Sequence, residues 1–111
     1  MALKKMKNDP LAGAQLKKNE AGEFELSGEL SFQTVPALSG RIHQLLTNKT
    51  HLVVKLTGVL RSDSAGVALL VDWLRQAQQH DVSLQFTDMP AQMHAIAAVS
   101  GLDEILPVVA G

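Results

Sequence analysis

Hydrophobic residues along this chain recur at two periods, and the places where the period changes mark its elements. Ala14-Gln15-Leu16-Lys17-Lys18 is a weak strand candidate, followed by a turn at Asn19-Glu20-Ala21-Gly22. Phe24-Glu25-Leu26-Ser27 then alternates with Phe24 and Leu26 on one face, which predicts a half-buried strand and, with the first, a hairpin. Val35, Leu38, Ile42 and Leu45 fall at steps of three and four. They predict a helix from Thr34 to Leu46, with Thr34 as N-cap and Pro36 in the first turn, where a missing N–H is harmless. His51-Leu52-Val53-Val54-Lys55-Leu56 is short, apolar and β-branched, as a buried strand is. Val67, Leu70, Val71, Leu74 and Ala77 predict a second helix from Ala65 to Gln79. Val82 to Phe86 alternates as another strand. Met89, Met93, Ile96 and Ala97 form the stripe of a third helix that starts near Pro90 and stops at Ser100-Gly101. Ile105 to Val109 reads as a short edge strand, because Pro107 cannot donate to a central ladder.

Strands that alternate with helices imply right-handed crossovers and a largely parallel sheet. The leading hairpin makes the sheet mixed. The expected fold class is therefore α/β: one domain over residues 14–111, with a mixed, mostly parallel sheet of four to five strands and helices packed on it. Residues 1–13 read as a disordered N-terminal tail. A length of 111 residues with 46% hydrophobic and 19% charged residues suits a single folded domain. Aromatics make up only 4%, so the core is expected to be aliphatic. The net charge of −1 argues against a general binder of nucleic-acid backbones. With no cysteine, disulfides, thiolate nucleophiles and cysteine metal sites are excluded. The basic start, Met1 to Lys7, is not followed by the apolar run of a signal peptide, and no window is long enough to span a bilayer. These features lead to the expectation of a cytoplasmic protein.

Signals of catalysis are weak. His43, His51, His80 and His94 share no metal-ligand spacing, and no glycine-rich phosphate loop occurs. Ser62-Asp63-Ser64-Ala65-Gly66 lacks the first glycine of the Gly-x-Ser-x-Gly nucleophile elbow. The expectation is a non-enzyme without cofactor or metal. The junction Leu60 to Val67 stands out instead, since it joins a strand to a helix and carries two hydroxyls and a carboxylate. Ser62, Asp63 and Ser64 all suit an N-cap, and capping alone accounts for them. A second reading is that one hydroxyl is exposed for phosphorylation or partner contact at the helix N-terminus. Ala65, Leu69 and Trp73 form a further apolar stripe at steps of four. It reads either as a widened core face or as a docking surface that begins at the junction, with Trp73 as an anchor.

Three segments carry a family resemblance that covers about residues 14–109. Phe24-Glu25-Leu26-Ser27-Gly28-Glu29-Leu30 is similar to the second strand and following loop of STAS domains. Leu56-Thr57-Gly58-Val59 is similar to the end of their hydrophobic strand. Asp63-Ser64-Ala65-Gly66-Val67-Ala68-Leu69-Leu70 resembles their Asp-Ser/Thr-x-Gly-hydrophobic motif. In the branch of anti-sigma-factor antagonists, the hydroxyl residue of that motif is the regulatory phosphorylation site, which falls on Ser64. Within the family the chain looks most similar to the small cytoplasmic subunits of the Mla phospholipid-transport ABC system of Gram-negative bacteria. That resemblance implies a non-catalytic accessory subunit that binds the ABC transporter ATPase, peripheral to the inner membrane through that partner, and supports outer-membrane lipid asymmetry. The alternative it implies is an anti-sigma-factor antagonist that binds a kinase-like anti-sigma factor and is switched at Ser64. The expected partner-binding residues are Asp63, Ser64 and Ala65, flanked by Leu69 and Trp73.

Overall fold

A computed structural model of the chain describes residues 13–109. The expected tail over residues 1–13 therefore lies outside the described residues except for Gly13. Strands β1 (Ala14–Lys18) and β2 (Phe24–Leu30) form the hairpin, followed by two short helices, α1 (Val35–Ser39) and α2 (Arg41–Leu45). Then come β3 (His51–Ser62), α3 (Ser64–Gln79), β4 (Ser83–Thr87), α4 (Ala91–Val99) and β5 (Val108–Val109). The five strands lie side by side in sequence order. β1 runs antiparallel to β2, and every later pair is parallel. The sheet is thus mixed and mostly parallel. Because each right-handed crossover steps to the next strand in the same direction, the helices gather on one face. That face carries Leu26, Leu52, Val54, Leu56, Leu84 and Phe86, all buried, while the intervening Glu25, Ser27, Val53, Lys55 and Gln85 are half-buried. The short edge strand at Val108–Val109 pairs with Phe86 and Thr87.

Two elements differ from the sequence reading. β3 does not stop at Leu56 but continues to Ser62, paired with β2 as far as Leu30↔Ser62. Alternation breaks over Thr57 to Arg61 because the ladder shifts register twice, between Glu25 and Ser27 and between Gly28 and Glu29. A bulge preserves pairing while it destroys the period of two on which a sequence reading depends. The first helix is also broken, into α1 and α2, at Gly40. In a continuous helix the Ser39 carbonyl would accept from the His43 N–H. Here the His43 N–H donates to the Gly40 carbonyl at 3.3 Å. The Ser39 carbonyl accepts instead from the Trp73 indole Nε1–H at 3.2 Å.

That hydrogen bond corrects the docking-stripe expectation. Leu69 is 2% exposed and Trp73 0% exposed, and Ala65 is buried with them. α3 therefore presents a wide apolar face, part to the sheet and part to α1 packed alongside it. The indole is fully enclosed, and its one polar group is satisfied by a carbonyl that the helix break releases. Leu69 and Trp73 form the core beneath the junction, so they do not flank a surface contact. Trp73→Phe should cost about 1–3 kcal/mol by leaving the Ser39 carbonyl without its indole donor. Trp73→Ala should cost about 3–5 kcal/mol. Urea unfolding followed by far-ultraviolet circular dichroism measures both.

Candidate functional site

The parallel pairing of β2 with β3 brings the carboxyl ends of both strands to the same end of the sheet. The Asp63 N–H donates to the Leu30 carbonyl at 3.0 Å, which continues the ladder one residue past β3. The chain then turns into α3. Asp63 is extended (φ −101°, ψ −168°), and its Oδ1 accepts from the Ala65 N–H at 2.8 Å. Of the three cap-type residues it is Asp63 that caps, as its side chain satisfies one of the free donors of the first turn and complements the helix dipole. Ser62 is buried, and its hydroxyl donates to the Asp63 carbonyl at 2.9 Å. Ser64 is the first residue of α3 and is exposed. Capping thus uses Asp63 and leaves the two serines unequal: Ser62 is structural, and Ser64 faces solvent.

Gly66 makes the tight junction possible. A Cβ there would run into the Ser62 Oγ and would lie 2.7 Å from the Leu30 Cβ. Only a residue without a side chain lets the first turn of α3 settle onto the ends of β2 and β3. On the other side of the junction, the Gln92 side chain from α4 reaches the Ser62 backbone. The Ser62 N–H donates to Oε1 at 2.9 Å, and Nε2 donates to the Ser62 carbonyl at 2.7 Å.

The end of the sheet where α3 starts also carries two exposed large apolar residues. Phe32, in the loop that leaves β2, is 73% exposed, and so is Leu60. Leu60 is the extra residue of the second register shift, because Val59 pairs with Gly28 and Arg61 with Glu29. It has no place in the pleat, and its side chain is turned outward. Gly28 adopts φ +95° opposite the shift. Arg61 and Ala68 are exposed as well, Ala68 one turn along α3 from Ser64. Neither Phe32 nor Leu60 is among the expected partner-binding residues. The available signal was a large apolar residue next to Arg61 and another between Ser31 and Gln33, both outside any periodic run. Of the five expected partner-binding residues, Asp63 and Ser64 stand at the surface of the junction, whereas Ala65, Leu69 and Trp73 lie beneath it.

Elsewhere, His43 and His80 meet edge to face with ring centroids 5.3 Å apart. Among the described residues, no group of three or more His, Asp or Glu side chains is placed to hold a metal ion. No described helix is long and apolar enough to cross a membrane.

The fold is shared with two solved structures. One is the anti-sigma factor antagonist SpoIIAA in its unphosphorylated form, with TM-score 0.67 and 17% identity, covering 88% of this chain and 87% of that one. The other is an anti-sigma factor antagonist from Mycobacterium paratuberculosis, with TM-score 0.68 and 20% identity, covering 86% of this chain and 82% of that one. Residues 14–108 match the family model described as "Mlab, STAS domain". The chain belongs to the STAS domain family. It is also 30% identical over 87 residues to the anti-sigma-B factor antagonist of Staphylococcus epidermidis, covering 78% of this chain and 81% of the relative.

Gly66→Ala should destabilise the fold by about 1–3 kcal/mol through overpacking against Ser62 and Leu30. Asp63→Ala should cost about 1 kcal/mol through the lost cap. Denaturant midpoints compared with the parent chain check both.

Proposed function

We propose that this chain is a non-catalytic regulatory domain that binds a partner protein through the Ser64 face, and that it acts as an anti-sigma-factor antagonist switched by phosphorylation of Ser64. The observation that carries the reading is an exposed residue with a hydroxyl, Ser64, at the first position of α3, at the end of the sheet where the exposed Phe32 follows β2 and the exposed Leu60 lies near the end of β3. A hydroxyl and two apolar anchors at one end of the sheet suit a protein contact with a desolvated centre and a polar rim, to which Arg61 would contribute. A phosphate on Ser64 would bring about −1.5 to −2 charges to that centre, next to the Asp63 carboxylate. The backbone N–H groups of the first turn of α3 favour the anion, whereas a partner packed on Phe32 and Leu60 would have to desolvate it. One modification would then change binding with little change in fold. The kinship with anti-sigma-B factor antagonists supports a partner of the anti-sigma-factor kind.

The description of the matching family, which names Mlab, supports a second reading. In it the same face docks the ATPase of an inner-membrane ABC transporter for phospholipids, and the chain is an accessory subunit held at the membrane by its partner.

Capture with a tagged full chain from its native cells separates the two. An anti-sigma factor recovered by mass spectrometry supports the first reading, and an ABC ATPase supports the second. Recovery of neither overturns both. Ser64→Asp should weaken binding of the recovered partner about tenfold or more, with Ser64→Ala close to the parent. Phe32→Ala and Leu60→Ala should each lose about 1–2 kcal/mol of binding with thermal stability retained. Calorimetry with the purified partner measures all four, and parental affinity in Ser64→Asp would remove Ser64 from the contact.

A further inference from the structure

We infer that Gln92 is a positioning residue for the Ser64 junction, its side-chain amide taking the place of a neighbouring strand at the end of β3. β4 pairs with β3 only as far as Lys55↔Thr87. The chain then turns away through Asp88 (φ +60°) into α4, while β3 runs on to Ser62. Among the described residues, β3 beyond Lys55 has a strand partner on the β2 side alone. In a parallel ladder a residue gives its N–H and its C=O to the same neighbour. The Ser62 N–H and C=O both go to Gln92, at 2.9 Å and 2.7 Å. A primary amide offers a donor and an acceptor together, which a carboxylate or an ammonium does not.

The junction is therefore held from both edges of β3, by the Leu30 carbonyl on the Asp63 N–H and by Gln92 on Ser62. Ser62 immediately precedes the capping residue, and its own hydroxyl binds the Asp63 carbonyl. Rotation of the Ser62 peptide would carry Asp63 and Ser64 with it. Gln92 thus sets where the Ser64 hydroxyl stands, and it couples the first turn of α4 to events at Ser64. The functional meaning of this tie rests on the reading of Ser64 as the docking residue; the tie itself is a property of the isolated chain.

Amide hydrogen exchange by NMR on the full chain tests it. Gln92→Ala should speed exchange at Ser62 and Ala65 about tenfold, while Val53 to Lys55 in the centre of the sheet keep their rates. Gln92→Glu should also speed exchange at Ser62 at neutral pH, though less than Gln92→Ala: one carboxylate oxygen can still accept from the Ser62 N–H, but the other cannot donate to the Ser62 carbonyl and is repelled by it. Its protection should return toward the parent's at a pH near 4, where a protonated carboxyl regains a donor. Ser64→Asp should shift the side-chain amide resonances of Gln92. Unchanged exchange at Ser62, or equal acceleration at Val53 to Lys55, would overturn the inference. So would a Gln92→Glu variant with no recovery at low pH. These measurements need no partner, so a failure of Ser64→Asp to affect capture would count against the docking reading alone.

Discussion

The parallel pairing of β2 with β3, carried through two register shifts to Leu30↔Ser62, is the constraint on which the rest of this molecule depends. It places the loop containing Phe32 and the start of α3 at the same end of the sheet. It forces Leu60 out of the pleat, and it brings the Leu30 carbonyl to the Asp63 N–H, so that the helix begins one residue after the ladder ends. A ladder in strict register would give Leu60 a partner on β2 and a place in the pleat. The irregularity builds the surface, as bulges commonly do where a strand must re-aim a side chain.

Beneath that surface the packing is tight and mostly apolar, and the buried Ser62 hydroxyl and Trp73 indole are both hydrogen-bonded. Gly66 lets α3 sit on Ser62 and Leu30, and Leu69 and Trp73 fill the space between the sheet and α1. The Trp73 indole and the break at Gly40 explain each other. The break frees a carbonyl, and the carbonyl satisfies the donor that burial of a tryptophan requires. Rigidity below an exposed loop is what a recognition surface needs, because ordering side chains at the moment of binding costs free energy.

A fold of this kind does not choose a partner; the chemistry of the exposed site does. The two readings of function share one face and one hydroxyl, and they differ in what covers that face. Both place the consequence of a charge at Ser64 in the same physical term, the desolvation of an anion against Phe32 and Leu60. Gln92 adds that the hydroxyl is held in place from α4, an element that lies outside the motif.

The sequence by itself determined the order of elements, the mixed and mostly parallel sheet, and the extent of α3. Each of these rests on local periodicity, which survives wherever a segment keeps one regular face toward the core. Ser64 is picked out by the family resemblance of Asp63 to Leu70, not by periodicity. Tertiary structure alone decided the length of β3, the break at Gly40 and the fate of Ala65, Leu69 and Trp73. A stripe at steps of four reads the same whether solvent or a neighbouring helix lies against it, and only the placement of α1 buried this one. The exposure of Phe32 and Leu60 is not legible in the sequence for the opposite reason. Their exposure follows from a register shift and a loop position, and these depend on which strand pairs with which rather than on any local pattern.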